Sequence, residues 1–197
     1  VLVATPPSLE TAFAEVVLLP GDPLRARHVA TTLLKDAVEI TGVRNMLGYT
    51  GQWKGARVSV MGAGIGVPST MLYATELIRE YGVRRLVRIG TCGAIPDQVQ
   101  LGDIVLAMSA ATDSAVNRVR FRGHDFAATA SWGLLSQVAA AARGATPMHV
   151  GRIFTSDFFY HPDAELIALL RRFGFLALEM ESAGLYGVAA EMGVEAL

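Results

Sequence analysis

The chain is poor in cysteine: Cys92 is the single cysteine among 197 residues. One cysteine excludes an intrachain disulfide framework and a multi-cysteine metal site, and it is typical of a reducing compartment, so we expect a cytoplasmic protein. The histidines His28, His124, His149 and His161 lack the pairwise spacing of metal ligands, and none neighbours the cysteine to favour a thiolate. We therefore expect neither metal nor thiol catalysis.

Long apolar runs and an excess of charge of either sign are also missing. No run of about 18 apolar residues occurs, which argues against a membrane span. The 17 basic and 18 acidic residues are interspersed, so neither a nucleic-acid stripe nor a polybasic membrane patch is present. No Gly-x-Ser-x-Gly elbow occurs, so a serine hydrolase would lack its nucleophile. With 52% hydrophobic and only 18% charged residues, we expect surface buried against other subunits, hence a homo-oligomer.

Short apolar runs alternate with helical patterns, which predicts an α/β fold. The length predicts a single domain over residues 1–197. The predicted strands are 16–19, 58–61, 86–89, 104–108, 149–154 and 176–180, and the predicted helices are 23–34, 68–81, 131–143, 162–173 and 182–192. Segment 113–125 has no clear periodicity and is predicted as a loop. Glu195-Ala196-Leu197 resembles the start of another strand, so we expect the natural protein to continue beyond Leu197.

An arginine in an apolar strand is the most informative feature. Arg88 lies in Leu86-Val87-Arg88-Ile89, and the corner Gly90-Thr91-Cys92-Gly93-Ala94 follows at once. A buried guanidinium needs either a carboxylate or a ligand anion, because an isolated charge is costly to remove from water. The corner offers a hydroxyl and approachable backbone N–H groups. We interpret the segment as one wall of a phosphate pocket, with an internal salt bridge as the alternative.

A second anion signal lies near the N-terminus. Gly21 forms a tight corner after a strand, Asp22 is a plausible N-cap, and Pro23 suits the first helical position. Arg25 then stands in the first turn, where a cation opposes the helix dipole unless an anion lies between them. Phosphate would resolve this conflict. A solvated arginine paired with Glu15 or Asp22 is the alternative.

Glycines at positions 62, 64 and 66 also follow a strand and precede a helix. A dinucleotide-binding fingerprint requires a small residue where Val67 stands, and no acidic ribose ligand follows at the proper distance. The glycines more plausibly let a backbone loop approach a ligand or another strand closely. An NAD-dependent dehydrogenase stays a weaker alternative.

Two carboxylates close a later strand. Period-two alternation predicts Glu179 and Glu181 on one face, where they could accept hydrogen bonds from sugar hydroxyls and stabilise a cationic sugar. A strand-end salt bridge from either glutamate to Arg171 or Arg172 is the alternative. The segment Phe158-Phe159-Tyr160 supplies flat surfaces on which a base could stack.

These segments, in this order, resemble the nucleoside phosphorylase family, most closely its hexameric bacterial purine nucleoside phosphorylases. The resemblance runs nearly end to end and rests on residues 19–26, 43–48, 60–69, 88–94, 112–114, 117–118, 124–127 and 178–184. It implies a central mixed twisted sheet flanked by helices, no metal or organic cofactor, and reversible phosphorolysis of purine ribonucleosides and deoxyribonucleosides to the free base and the sugar 1-phosphate.

The resemblance also assigns residues to the substrates. Phosphate would be bound by Gly21, Arg25, Arg88 and Thr91, joined by Arg44 from a neighbouring subunit of a dimer-based hexamer. The purine pocket would be lined by Cys92, Gly93, Phe159 and Leu178, and the ribose would be held by Met180 and Glu181 with Glu179 close by. The family's general acid, an aspartate after the next strand, would lie beyond Leu197, so this chain's catalytic residue is unknown from its sequence.

Two differences from the family pattern, and two other enzyme classes with related chemistry, leave other functions open. Thr5-Pro6-Pro7-Ser8 lacks the histidine that the family places there, and the C-terminal strand and helix are expected to be missing. A noncatalytic nucleoside-binding subunit is therefore one alternative. Uridine phosphorylase would show a pyrimidine-reading glutamine and arginine near 159–163, which are absent. A nucleosidase would use water and would not need Arg25, Arg44 and Arg88 together.

Overall fold

The computed structural model describes residues 13–142, 144 and 146–197. The segment Thr5-Pro6-Pro7-Ser8, which lacks the histidine of the family, lies outside these residues. The described chain forms two compact units, one comprising 13–90 and 188–196, the other Thr91–Gly187 with Leu197. The α/β class is confirmed, but the strands form two sheets instead of one central sheet. The single-domain organisation stays a prediction.

The elements alternate along the chain. The strands are β1 (Val16–Leu19), β2 (Lys35–Thr41), β3 (Gly48–Trp53), β4 (Ala56–Met61), β5 (Arg85–Arg88), β6 (Gly93–Ala94), β7 (Ile104–Thr112), β8 (Met148–Thr155), β9 (Ala177–Glu179) and β10 (Glu195–Ala196). The helices are α1 (Pro23–Leu33), α2 (Val67–Tyr81), α3 (Val116–Arg120), α4 (Trp132–Ala141), α5 (Leu166–Arg172) and α6 (Ser182–Met192).

The first unit contains a six-stranded mixed sheet of order β10-β5-β1-β4-β3-β2. β1 runs parallel to β4 and β5, and β10 runs parallel to β5, whereas β2, β3 and β4 are antiparallel. Helix α1 turns its buried alanines, Ala26 and Ala30, onto Leu47, Tyr49 and Val60. Alanine has a small side chain, so the helix backbone lies close to the sheet.

Two strands of this sheet were not predicted. β2 is mostly exposed and rich in polar residues, and β3 contains Gly48 and Gly51. Both features weaken a strand pattern in sequence. β3 pairs with the stronger strand β4, and β2 pairs with β3, so tertiary pairing supplies the stability that the local sequences lack. The predicted strand start at Glu195 is confirmed, because β10 pairs with β5 at Glu195↔Arg85 and Ala196↔Leu86.

The second unit contains a four-stranded mixed sheet of order β6-β9-β8-β7. β7, β8 and β9 are parallel, and the short β6 is antiparallel to β9. Helix α5 packs Leu166 and Leu170 against Phe154 and Ile95. The segment predicted as the loop 113–125 contains α3, in which the buried Asn117 donates a hydrogen bond of 2.7 Å to the carbonyl of Ala183.

A partly buried contact lies at the amino ends of β7 and β8. His149 Nε2 lies 2.9 Å from Asp103 Oδ2, and Asp103 also accepts from the backbone N–H of Gln100 at 2.9 Å. The hydrogen bond from the N–H of Gln100 is the main cause that lowers the pKa of Asp103 below its usual value, and the hydrogen bond with His149 is the next. The pKa of Asp103 is lower in the folded protein than in the unfolded chain. The ionised carboxylate therefore stabilises the fold at a pH above its pKa in the unfolded chain, and this stabilisation is lost as the pH falls through its pKa in the folded protein.

Among the described residues, no helix is long and apolar enough to cross a membrane. The longest, α2, has 15 residues. A bilayer-spanning helix needs about 20 predominantly apolar residues.

Gly62, directly after β4, offers a test of packing in the first unit. A Cβ at this position would lie 2.9 Å from the Cα of Pro23, which begins α1. Backbone would have to move, so we expect Gly62→Ala to lower the free energy of unfolding by about 1–3 kcal/mol. Gly42→Ala is the control, because its Cβ would meet nothing closer than 3.4 Å. Equal midpoints for both variants in urea denaturation would contradict the packing.

Candidate functional site

Arg88 stands at the carboxyl end of β5, next to the corner that follows β1. Arg88 pairs in register with Leu19, and the two strands are parallel, so their carboxyl ends share one edge of the sheet. A Cβ on Gly21 would lie 3.9 Å from Arg88 Nη1, and a Cβ on Gly90 would lie 2.7 Å from Nη2. The guanidinium of Arg88 therefore lies beside Gly21 and Gly90, whose backbone is not covered by a side chain. Ligands of open parallel sheets bind at this edge.

Helix α1 begins at the same edge and brings a second cation. Asp22 accepts the N–H of Leu24 at 2.8 Å with its Oδ1, and Pro23 is the first helical residue, so the predicted N-cap is confirmed. Arg25 reaches the carbonyl of Ile89 with its Nη1 at 3.5 Å, a weak hydrogen bond. Arg25 is thereby held beside the residue that follows Arg88. Two cations and a helix N-terminus together attract an anion.

Arg44 lies on a separate turn of the first unit. It is the central residue of the 3₁₀ turn Val43–Asn45 and has a left-handed backbone, with φ 55° and ψ 24°. Asn45 also has a positive φ of 62°. A left-handed conformation costs a non-glycine residue roughly 1–2 kcal/mol, and such strain often marks functional positions. The first unit thus brings Gly21, Arg25 and Arg88 together, and it presents Arg44, exposed, from a different turn.

The glycine-rich loop after β4 packs against the corner that follows β1. Ala63 N–H donates to the carbonyl of Pro20 at 2.8 Å, and Gly64 N–H donates to that of Gly21 at 3.0 Å. Gly64 has a φ of 76°, which favours glycine. These contacts agree with the interpretation that the glycines serve close backbone approach, and they fix the position of Gly21 beside Arg88.

In the second unit, strand pairing unites most of the predicted purine residues. Gly93 of β6 pairs with Leu178 of β9, and the exposed Cys92 precedes β6 directly. Thr91, assigned to phosphate, is exposed and follows Gly90. Phe159 lies elsewhere in this unit, in the loop after β8, with 71% of its surface exposed. That loop begins beside β9, because Ser156 N–H donates to the carbonyl of Glu179 at 2.9 Å.

The two glutamates lie where β9 passes into α6. β9 ends at Glu179, so the strand alternation that predicted a common face does not extend to Glu181. Both residues are nevertheless buried, with 7% and 3% exposure, and Met180 between them is half-buried. The structure therefore places the predicted ribose residues in one turn, although for a different backbone reason from the one predicted.

The carboxylate of Glu179 binds the backbone of this turn. It accepts the N–H of Glu181 at 2.9 Å and that of Ser182 at 3.0 Å, and it accepts the hydroxyl of Thr155. The two N–H groups lie at the N-terminus of α6, where a negative charge is favourable. Arg171, its predicted salt-bridge partner, instead lies 3.4 Å from Asp97. Glu179 thus orients the peptide that carries Glu181, and its contact with ribose stays a prediction.

Sequence reasoning missed three supporting residues of the second unit. Thr155 accepts the N–H of Ala183 at 3.0 Å in addition to its contact with Glu179. Asp113 and Ser156 are joined by a hydrogen bond of 2.7 Å at the start of the loop that carries Phe159. Thr155 and Ser156 directly follow the predicted strand 149–154, which is the same signal that identified the segment after Arg88. Asp113 follows the observed strand β7, which is longer than predicted.

Comparison with known proteins identifies the family of this chain. The model of the phosphorylase superfamily matches residues 15–197. The purine nucleoside phosphorylase DeoD-type of Psychromonas ingrahamii is 55% identical over 191 residues, covering 96% of this chain and 81% of that protein. The protein of the same name from Colwellia psychrerythraea is 58% identical over 186 residues, covering 94% and 80%.

A third relative has the same name. The purine nucleoside phosphorylase DeoD-type of Shewanella baltica is 54% identical over 192 residues, covering 96% of this chain and 81% of that protein. These matches cover 94–96% of this chain at 54–58% identity. The chain therefore belongs to the phosphorylase superfamily, among the purine nucleoside phosphorylases of the DeoD type.

Proposed function

We propose that this protein catalyses the reversible phosphorolysis of purine nucleosides, which yields the free purine and ribose 1-phosphate. The observation that carries the proposal is the approach of Arg25 and Arg88 at the carboxyl edge of β1 and β5, beside the N-terminus of α1. This arrangement supplies an anion site in a chain whose relatives are named purine nucleoside phosphorylases.

Phosphate is the nucleophile in this proposal, and all of its predicted ligands except Thr91 belong to the first unit. Arg25 and Arg88 donate charge-assisted hydrogen bonds to its oxygens, and Gly21 leaves room for close approach of backbone. Thr91 adds a hydroxyl. One oxygen of hydrogen phosphate attacks the anomeric carbon as the glycosidic bond breaks. The bonding electron pair leaves with the purine nitrogen, which takes up a proton, so that the proton lost by the phosphate balances the one gained by the purine. The negative charge of the phosphate offsets the positive charge that develops on the sugar. Positioning and electrostatics then account for much of the rate acceleration.

The nucleoside is bound by the second unit. Cys92, Gly93 and Leu178 offer surface to the purine, and Phe159 offers an aromatic face on which it stacks. Glu181 accepts hydrogen bonds from ribose hydroxyls, and its negative charge favours a cationic, oxocarbenium-like sugar. Met180 packs against the sugar from the same turn.

Assembly and location complete the proposal. We infer a cytoplasmic homo-oligomer, a dimer-based hexamer, in which Arg44 contributes to the phosphate site of a neighbouring subunit and the reaction needs no cofactor. The exposed, left-handed Arg44 supports this, because strain held on a surface turn is readily explained by contact with a ligand or a partner. The single cysteine supports a reducing compartment.

The reaction class is tested by the dependence of purine release on phosphate. With adenosine or inosine as substrate, release is expected to rise with phosphate concentration to a plateau and to produce one ribose 1-phosphate per purine. A nucleosidase would release purine at the same rate without phosphate, and a uridine phosphorylase would prefer uridine. Purine binding by calorimetry with no cleavage at any phosphate concentration would identify a noncatalytic binding subunit.

A further inference from the structure

The loop that carries Phe159 is exposed and apolar, and its conformation needs an anchor. We name residues 156–161 the aromatic loop. Three successive aromatic side chains in it, Phe158, Phe159 and Tyr160, are 52%, 71% and 89% exposed. An apolar segment with so little burial gains little stability from the core, so polar contacts must hold its backbone.

A single carboxylate bonds both ends of the aromatic loop. Asp113, which follows β7, accepts the hydroxyl of Ser156 at 2.7 Å with Oδ2 and the N–H of Asp157 at 2.8 Å with Oδ1. The same Oδ2 lies 3.3 Å from Nε2 of His161. The side chains of Asp113 and His161 are only 22% and 21% exposed, so water competes weakly for these contacts.

The partners of Asp113 extend the network into the loop backbone. Ser156 Oγ accepts the N–H of Phe158 at 3.1 Å, and Nδ1 of His161 accepts the N–H of Asp163 at 3.1 Å. Because Nδ1 acts as an acceptor, the ring proton of the neutral imidazole belongs on Nε2, the nitrogen that faces Asp113 Oδ2 at 3.3 Å. The rings of Phe158 and His161 also meet edge to face at 5.7 Å between centroids. The residues on both sides of Phe159 and Tyr160 are thus anchored to one carboxylate.

We propose that Asp113, acting through Ser156 and His161, is a positioning residue that holds the aromatic loop in the conformation in which Phe159 stacks on the purine. This inference rests on the function proposed above for Phe159. A loop that is ordered before the base arrives loses less conformational freedom on binding, which raises affinity without adding a contact. The contacts of Asp113 with Ser156 and His161 therefore affect the affinity for the nucleoside and leave the affinity for phosphate unchanged.

The first experiment separates affinity for the two substrates. Asp113→Asn replaces an acceptor of the Ser156 hydroxyl and removes the negative charge facing His161. We expect the Kd and KM for adenosine and inosine to rise about tenfold, because a charge-assisted hydrogen-bond network is weakened. Phosphate Kd by calorimetry should stay within about twofold, and kcat should change less than KM. Asp97→Asn, which breaks an exposed ion pair of the same unit, is the control and should change neither.

Two substitutions of His161 separate positioning from a general loss of stability. In His161→Gln, the side-chain amide can occupy the place of Nε2 and donate to Asp113, whereas in His161→Asn the shorter amide can accept from Asp163 but does not reach Asp113. We expect near-normal nucleoside affinity for Gln and a severalfold loss for Asn. Equal affinities for the two variants would overturn the proposal, even if Asp113→Asn does not fold.

A double-mutant cycle with Phe159→Ala identifies the route of the effect. If Asp113 acts through Phe159, Asp113→Asn should weaken nucleoside binding in the native background and have no further effect in the Phe159→Ala background. An equal loss in both backgrounds would overturn the proposal. If Phe159→Ala alone leaves nucleoside affinity unchanged, the assignment of Phe159 to the purine is wrong, and the positioning role fails with it. Phosphate-dependent cleavage by the native protein tests the proposed function separately.

Discussion

Replacing Arg88 by alanine is expected to abolish phosphate binding and phosphate-dependent cleavage. Arg88 closes β5 beside Gly21 and Gly90, and Arg25 is held next to it through Ile89. Each charge-assisted hydrogen bond to a phosphate oxygen contributes about 1.5–3 kcal/mol, and a guanidinium makes two in parallel. Loss of both should raise the phosphate Kd by about 10²-fold or more. Calorimetric titration with inorganic phosphate measures it.

Arg85→Ala is the matched control for Arg88→Ala. Arg85 opens the same strand and carries the same charge, but its Nε lies 2.9 Å from Oε2 of Glu195 in an exposed ion pair. Such pairs contribute little, about 0–1 kcal/mol. Phosphate Kd should therefore be nearly unchanged in Arg85→Ala. If both variants weaken phosphate binding equally, the effect is one of overall charge, and Arg88 has no specific role.

Arg88→Lys adds information about geometry. Lysine keeps the positive charge but cannot donate two parallel hydrogen bonds. We expect an intermediate Kd for phosphate, clearly weaker than that of the native protein. A lysine variant with native affinity would show that charge alone suffices at this position.

Replacing Glu181 by alanine is expected to weaken nucleoside binding and slow cleavage of the glycosidic bond. The residue is 3% exposed at the start of α6, and its N–H is held by the carboxylate of Glu179. An oriented, buried carboxylate both binds ribose hydroxyls and stabilises a developing positive charge, and removal of one such group costs about 10²–10³-fold in rate. Measurement of kcat and KM separates the two contributions.

Two further glutamates serve as comparisons. Glu191→Gln removes an exposed carboxylate near the other end of α6 and should leave nucleoside kinetics unchanged. Glu179→Gln should lower the thermal midpoint, because the Glu179 carboxylate holds the first N–H groups of α6. If Glu181→Ala lowered the midpoint as much as Glu179→Gln and left kcat/KM unchanged, its role would be structural and the ribose assignment wrong.

Several parts of the site were predictable because their causes are local. Proline fixes its own φ, and an aspartate before it can reach the N–H two residues on, so Asp22 and Pro23 specify the start of α1 without help from distant residues. A charged residue inside an apolar strand is equally visible in sequence, which is why Arg88 indicated an anion site. The family resemblance, carried by the same segments, is confirmed by the comparisons.

Features that depend on distant pairing were not predictable. β3 forms because it pairs with β4, and β2 forms because it pairs with β3, although Gly48 and Gly51 weaken the local pattern of β3. The division of the strands into two sheets is likewise a matter of which strands meet. The left-handed backbone of Arg44 has no signal in its own sequence, since arginine seldom adopts it.

The amino-acid sequence by itself determined the α/β class and the start of α1, and it indicated Arg25 and Arg88 as candidate anion ligands, because short-range sterics, periodicity and the cost of burying charge act within a few residues. Only the tertiary structure decided where the carboxylates act. Glu179 binds the start of α6, and Asp113 reaches 43 residues along the chain to Ser156. Such contacts form when folding brings distant polar groups together away from water, where each must find a partner.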